Sequence, residues 1–328
     1  MQLSVQKRSV EDFEELKGVV PTARTEVTQL DAGRVEGKLS HCLVGDLPLD
    51  LASFSLGVRS RGIVSEDRVS IGMLTGCRGR VTHWSHEMRP GDVVVWPPGA
   101  EHDARYFGGA SVSVISLGPA ELASMFGSEP RLREIGSWTR SHYRPAPSAA
   151  VETITRLRDI VGRMEVVGSG STQGTHEFWK RAIVDLFVSP ILQIKPSDRD
   201  GPIPSALRIV HKVEDYVNAA DGRPVHVTEL CERLHVSRRT LHRAFHSAVG
   251  IGPVTFLRHN RLCAVHSFLR RAEPATTTVA AAAMKHGFVN LGRFSGDYRK
   301  LFGEYPAQTL RVRANRSELS ECPTPTAH

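Results

Sequence analysis

Apolar positions along the chain follow two different periods. Between Leu49 and Leu117 they fall in short runs rich in Val, Ile and Ser, such as Phe54–Val58, Arg68–Leu74 and Val112–Leu117, separated by glycine-containing turns. Short strands at this spacing predict an antiparallel barrel or sandwich. Residues 1 to about 40 have no clear period and read as an entry segment, part strand and part helix. From Pro119 the period lengthens. Glu121–Phe126 starts helical, and Val151–Val166 carries Val151, Ile154, Leu157 and Val161 on one side with Arg156, Arg158 and Asp159 on the other. Thr175–Leu192 presents Phe178, Ile183, Leu186 and Phe187 in the same way, and Gly168–Gly174 would fold the two helices into an antiparallel pair. Their apolar stripes suit packing on the strands or self-association into a homodimer.

The C-terminal half repeats one short plan. Leu207, Val210, Val213 and Val217 form a helical stripe that would back the first copy. There, Thr228 is the expected N-cap of a helix carrying Leu230 and Leu234, and Ser237 caps a second helix that buries Leu241, Ala244, Phe245 and Ala248. In the second copy Thr278 opens an alanine-rich helix to Met284, Gly287 permits a left-handed turn, and Asn290 caps a helix with Phe294, Tyr298 and Leu301 inward. Helix, tight turn, helix, twice over, is the geometry of a helix-turn-helix DNA reader. Between the copies runs Val254–Arg271, with Leu257, Ala264, Val265, Phe268 and Leu269 inward. At 1.5 Å per residue this rod spans about 25 Å, enough to hold two recognition helices near one turn of duplex apart.

Length and charge sharpen the division. A chain of 328 residues exceeds one comfortable core. The expected layout is α+β: an antiparallel β-barrel, whose cupin likeness rests on Gly91, Pro97, Gly99 and His102, with a helical pair over 1–195, a linker over 196–205, an all-α domain with two helix-turn-helix units over 206–313, and a disordered tail over 314–328. Residues 206–313 hold seventeen Lys or Arg against eight Asp or Glu, so the formal charge of +7 resides in the helical half and the remainder is slightly acidic. Paired short helices of this charge suit double-stranded DNA better than a membrane surface, which calls for one long amphipathic basic helix. Cys42, Cys77, Cys231, Cys263 and Cys322 are scattered, with no C-x-x-C pair, and read as free thiols in a reducing cytosol. No apolar run near the N-terminus forms a signal peptide and none approaches 18 residues, so a cytoplasmic protein without membrane contact is expected.

Pro90–His102 is the most informative stretch of the N-terminal half: a turn, a buried strand and a second turn forced by Pro97-Pro98-Gly99 place His102 at the start of the next strand. Gly91, Pro97, Gly99 and His102 resemble the second sequence motif of cupin jelly rolls, whose histidine is a metal ligand in the metal-binding members. The earlier histidines, His83 and His86, lie only a few residues before Gly91 in H-x-x-H spacing, so the first motif is unmatched and no metal or other cofactor is expected. A cupin-type metal enzyme fused to a DNA reader would require His83, His86, Glu101 and His102 to converge. Trp84, Trp96, His102 and Tyr106, on or beside candidate strands, are the candidates for contact with a small-molecule effector.

Leu230, Ser237, Thr240-Leu241, Arg243, Phe245, Gly250, Pro253, Leu257, Arg261-Leu262, Gly287-Phe288, Phe294, Phe302-Gly303 and Pro306 together resemble the DNA-binding domain of the AraC/XylS family of bacterial transcription regulators. Leu291-Gly292-Arg293-Phe294-Ser295, Tyr298-Arg299 and Leu301–Glu304 are similar to the branch with an AraC-binding-like N-terminal sensor domain. The resemblance implies a one-component regulator, activating transcription in response to an effector, with promoter DNA, RNA polymerase and a second copy of itself as partners and no catalytic site. By position, the family's base contacts map onto Arg239, His242 and Arg243, and Arg293 is the best candidate in the second copy. Arg238, His246, Asn290 and Arg299 lie where backbone or groove contacts are expected. Gly296 stands where family members commonly place an arginine or another long side chain.

Overall fold

A computed structural model describes residues 2–126, 142–167, 172–194, 203–220 and 223–311. They form two units: Met1–Val27 with Val35–Ile203, and Thr28–Arg34 with the chain from Pro204 onward.

In the first unit, β1 (Gln2–Val10), β3 (Gly37–Gly45), β4 (Leu47–Phe54), β6 (Val69–Cys77), β9 (Val93–Trp96), β11 (Ala110–Leu117) and β12 (His142–Tyr143) make one sheet, in the order β1-β3-β4-β11-β6-β9-β12. A second sheet takes β2 (Arg24–Gln29), β5 (Val58–Ile63), β7 (Val81–His83), β8 (His86–Met88) and β10 (Glu101–Tyr106) in the order β2-β5-β10-β7-β8. Alternation assigns the faces. Along β9, Val93 and Val95 join the core under the helices, whereas Val94 and Trp96 point to the opposite face and line an interior cavity, so a strand buried on both sides reads as one continuous apolar run. Ile115 and Leu117 of β11 likewise face the helices while Val112 and Val114 line the cavity.

The helices on the outer face are α1 (Pro119–Phe126), α2 (Pro147–Val167) and α3 (Gln173–Gln193). Leu122, Ile154, Leu157, Met164, Ile183, Val184, Phe187 and Ile191 fill the space between them and the larger sheet. Lys180 fastens α3 to its surroundings, its ammonium 2.6 Å from both Asp46 and Glu121. Burial lowers its pKa, but the hydrogen bonds to these two carboxylates outweigh that and raise it overall. At the corner before β9, Gly91 has φ +94° and a Cβ there would overlap Ala150 of α2, so the turn admits only glycine on two counts.

Three expectations need correction. Phe54–Val58 is not a strand; β4 ends at Phe54 and the chain turns before β5 begins at Val58. Val151 and Phe178 do not face inward but are 66% and 68% exposed. The rest of each stripe is buried as expected, through Ile154 and Leu157 in α2 and Ile183 and Phe187 in α3, with Ala150 and Trp179 buried where Val151 and Phe178 were expected. Most of the expected turn at 168–174 and linker at 196–205, and the tail at 314–328, lie outside the described residues.

The second unit consists of α4 (Ser205–Ala219), α5 (Val227–Leu234), α6 (Arg238–Ala248), α7 (Pro253–Arg271), α8 (Val279–Lys285) and α9 (Leu291–Phe302). Leu207, Val210 and Val213 of α4 are buried as their spacing predicts. Val210 and Val213 pack with Leu230, Leu241, Phe245, Phe256 and Leu257 into the core of the first helix-turn-helix. The second copy has an aromatic core: Phe294 lies 4.9 Å from Phe288, ring to ring, and Tyr298 4.6 Å from Phe302. The Tyr298 hydroxyl is 2.7 Å from His266 Nδ1 on α7 and 2.8 Å from the Thr309 hydroxyl, so its polar tip is satisfied inside that core. Thr28–Arg34, far away in sequence, is built into this unit. Leu30 joins the first core, Gln29 donates to the Leu301 carbonyl at 2.6 Å, and Gly33 N–H donates to the same oxygen at 3.0 Å.

Candidate nucleic-acid interface and interior cavity

The first reader is fixed by backbone chemistry at its turn. α5 starts at Val227 with His226 as N-cap and no side-chain cap bond, so Thr228 is not the cap; its hydroxyl accepts instead from Arg238 at 2.8 Å. His235 takes the left-handed conformation at φ 53° and ends α5. The Ser237 hydroxyl then accepts from Thr240 N–H at 3.0 Å and starts α6. Leu241, Ala244 and Phe245 are buried, which leaves Arg238, Arg239, His242, Arg243 and His246 exposed together on the other side of α6. Arg238 is held by its bond to Thr228, whereas Arg239 and Arg243 have no ion-pair partner among the described residues. The His242 and His246 rings stack with centroids 6.5 Å apart and 29° between planes. Two unpaired guanidiniums and two imidazoles on one exposed face can meet both base edges and phosphates.

The second reader repeats the geometry with different chemistry. Thr278 caps α8 by accepting from Ala281 N–H at 3.1 Å, and Asn290 caps α9 by accepting from Arg293 N–H at 2.9 Å. Gly287 has φ +78° and a Cβ there would overlap Pro224. Asn290, Leu291, Gly292, Arg293 and Gly296 are exposed. The guanidinium of Arg293 lies 3.8 Å from Asp297, which also faces Arg258 at 3.6 Å. Arg299 donates to the Tyr305 hydroxyl at 2.7 Å and lies over its ring at 4.7 Å. Nothing lies within 4 Å of where a Cβ on Gly296 would sit. Val289, beside the cap, is 93% exposed, because Phe288 rather than Val289 packs against Phe294. An exposed valine at the head of a reading helix can contact a thymine methyl group.

The cavity between the two sheets of the first unit has a volume of about 100 Å³. Trp96, His102 and Tyr106 line it as expected candidates, together with Val58, Val81 and His83. Trp84 does not: it sits with Ser85 at positive φ in the β7–β8 turn, buried edge-on to His83. Trp96 Nε1–H donates to His83 Nε2 at 3.3 Å, which leaves the His83 proton on Nδ1, 2.9 Å from His142 Nε2. Burial pushes His83 well below its usual pKa, with His142 and His102 adding to the effect. His102 is pushed down to about 4 by burial. Burial also raises Tyr106 to about 12, so all three groups are neutral near pH 7. With both ring nitrogens of His83 engaged and Glu101 exposed, the four groups required by a metal enzyme do not converge, and the described residues contain no cluster able to hold a metal ion. His142 was not foreseen, since nothing local ties it to His83, 59 residues away.

A family model described as a helix-turn-helix domain matches residues 230–312, the span of both readers. The XylDLEGF operon transcriptional activator 1 of Pseudomonas putida is 24% identical over 290 residues, covering 85% of this chain and 86% of that protein. Over most of its length the chain is similar to regulators of the AraC/XylS family. A probable thc operon regulatory protein of Rhodococcus erythropolis is 34% identical over 111 residues, 34% of this chain and 33% of that protein. Among solved structures, the AraC-like transcriptional activator CuxR covers 79% of this chain and 94% of its own at 16% identity and a TM-score of 0.42. The chain is a DNA-binding transcription regulator, and the helix-turn-helix units are the part that binds DNA. No described helix is long and apolar enough to cross a membrane.

Proposed function

We propose that this AraC/XylS-family chain is a cytoplasmic, one-component transcription activator without catalytic activity. In this reading the residues up to 195 sense a small molecule and self-associate, those from 206 to 313 bind promoter DNA, and RNA polymerase is the productive partner. The observation that carries the proposal is the polar face of α6, where Arg239, His242 and Arg243 are exposed directly opposite the buried Leu241 and Phe245. These three read base edges, an arginine fitting the O6 and N7 of guanine in bidentate fashion. In the second copy Arg293 reads, aided by Val289, while Arg238, His246, Asn290 and Arg299 set register on the backbone and groove. The side-chain oxygen of Asn290 is already engaged by its cap bond, which leaves its amide N–H₂ to meet a phosphate.

The cavity supplies the sensor, and Trp96, His102 and Tyr106 are its effector contacts. A ligand shifts the regulator between states only by binding one of them better, so the effector must sense the arrangement of those walls. Transcription in vitro from a template bearing a selected binding site, with purified protein and bacterial RNA polymerase, tests the activator reading. Transcript rising with protein and falling back with Arg239→Ala supports it; transcript unchanged or reduced by the wild-type protein overturns it.

A further inference from the structure

We propose, on the basis of the effector reading above, that the cavity takes a neutral ligand of about benzene size whose polar group is a hydroxyl bonded to His102, and that it discriminates against carboxylates. Size comes from the volume of about 100 Å³, somewhat below the ~150 Å³ of an apolar cavity known to admit benzene. Met73 and Met88 in the walls are adaptable enough to supply the difference. Val20, Val58, Val64 and Val81 make the lining mostly apolar.

Of the two imidazoles in the lining, His102 is the one left with an unpartnered nitrogen. His83 is occupied at both ring nitrogens, by Trp96 and His142. His102 is more than nine-tenths buried, and its Nδ1 has no hydrogen-bond partner among the described residues. A hydroxyl both donates and accepts, so it satisfies Nδ1 in either tautomer; a carboxylate only accepts, and suits one of the two. Burial holds the imidazole neutral near pH 7, so it offers a dipole and no compensating charge.

Charge decides against an anion. Lys17 is the one Lys, Arg, Asp or Glu among the described residues lining the cavity, and its ammonium already faces Glu14 at 3.0 Å and Glu26 at 3.1 Å. Nearby, the buried Arg59 guanidinium is engaged by Asp103 at 2.6 Å, and neither of these lines the cavity. A carboxylate would therefore lose its hydration without gaining a free cation, the costliest kind of burial.

The test is calorimetric titration of purified full-length protein with phenol, toluene and benzoate at pH 7.5, in the wild type and in His102→Leu and His102→Asn. Phenol and toluene match in size, so their difference reports the hydroxyl. We expect phenol to bind the wild type about 3–10-fold more tightly than toluene, and benzoate to bind at least about 100-fold more weakly than phenol. His102→Leu should remove the preference for phenol while keeping toluene binding, which also shows that the variant is folded, and His102→Asn should restore part of it. Equal affinity for phenol and toluene in the wild type, benzoate binding as tightly as phenol, or no binding of any probe overturns the proposal. The effector reading fails separately: phenol binding as expected while saturating phenol leaves transcription in vitro unchanged removes that reading and keeps the ligand class.

Discussion

The two readers of the second unit share a geometry and differ in chemistry. Each has a hydroxyl or amide cap on its reading helix, from Ser237 or Asn290, and a left-handed residue in the turn, His235 or Gly287. Each hides an apolar face, Leu241 and Phe245 in one and Phe294 and Leu301 in the other. On the outward faces they part. α6 offers Arg239 and Arg243 unpaired beside two histidines, whereas α9 offers Arg293 drawn toward Asp297 and two glycines with no side chain. Because base edges are read by side chains and the duplex is positioned by general basicity, equal folds here imply unequal readout. On the proposed reading, α6 specifies sequence and α9 mainly holds position.

The largest effects break the shared part. Leu241→Ala leaves a cavity under α6 and should cost about 2–5 kcal/mol, and Phe294→Ala about 3–5 kcal/mol under α9. Thermal melts of the full chain check both, and an unchanged melt for either would mean the assigned helix phase is wrong. Next, Arg239→Ala should lose about 1–3 kcal/mol on a selected site and much less on random DNA. Equal losses on both, measured at one salt concentration, would assign Arg239 to the phosphates. Gly296→Arg should sharpen the comparison in reverse. The helix gains about 1 kcal/mol over glycine, the side chain has open space, and the salt dependence of DNA binding steepens by about one counterion. A flat salt slope would show that this face of α9 lies away from the duplex. The smallest effect belongs to the caps: Ser237→Ala and Thr278→Ala should each cost about 1 kcal/mol by denaturant titration, with no change in which bases are preferred.

How legible this was from sequence depended on how local the physics was. The caps Ser237, Thr278 and Asn290 and the turn at Gly287 were legible because each rests on hydrogen bonds or φ restrictions within a few residues. Thr228 misled for the complementary reason: its hydroxyl is engaged ten residues away by Arg238, and α5 starts without a side-chain cap. Val151 and Phe178 show that periodicity finds the centre of a stripe more surely than its edge, because Ala150 and Trp179, about 100° round the helix from them, are the residues that are buried. Pro90–His102 marked its own turns and strand and led to the cavity wall. His142 could not be found that way, since only the sheet brings β12 beside β9. The place of Thr28–Arg34 in the second unit was equally hidden, resting on Gln29 and Gly33 bonds to a carbonyl more than 260 residues further on.

Unequal readout is tested most directly by selecting bound sequences from randomised duplex DNA with purified full-length protein at a fixed salt concentration, in the wild type and Arg239→Ala side by side. The account predicts a two-part motif with one half rich in sequence information and the other poor, and with the rich half flattened by Arg239→Ala while the poor half persists. Two halves of equal information, both unaffected by Arg239→Ala, would contradict it and remove α6 from the reading of bases.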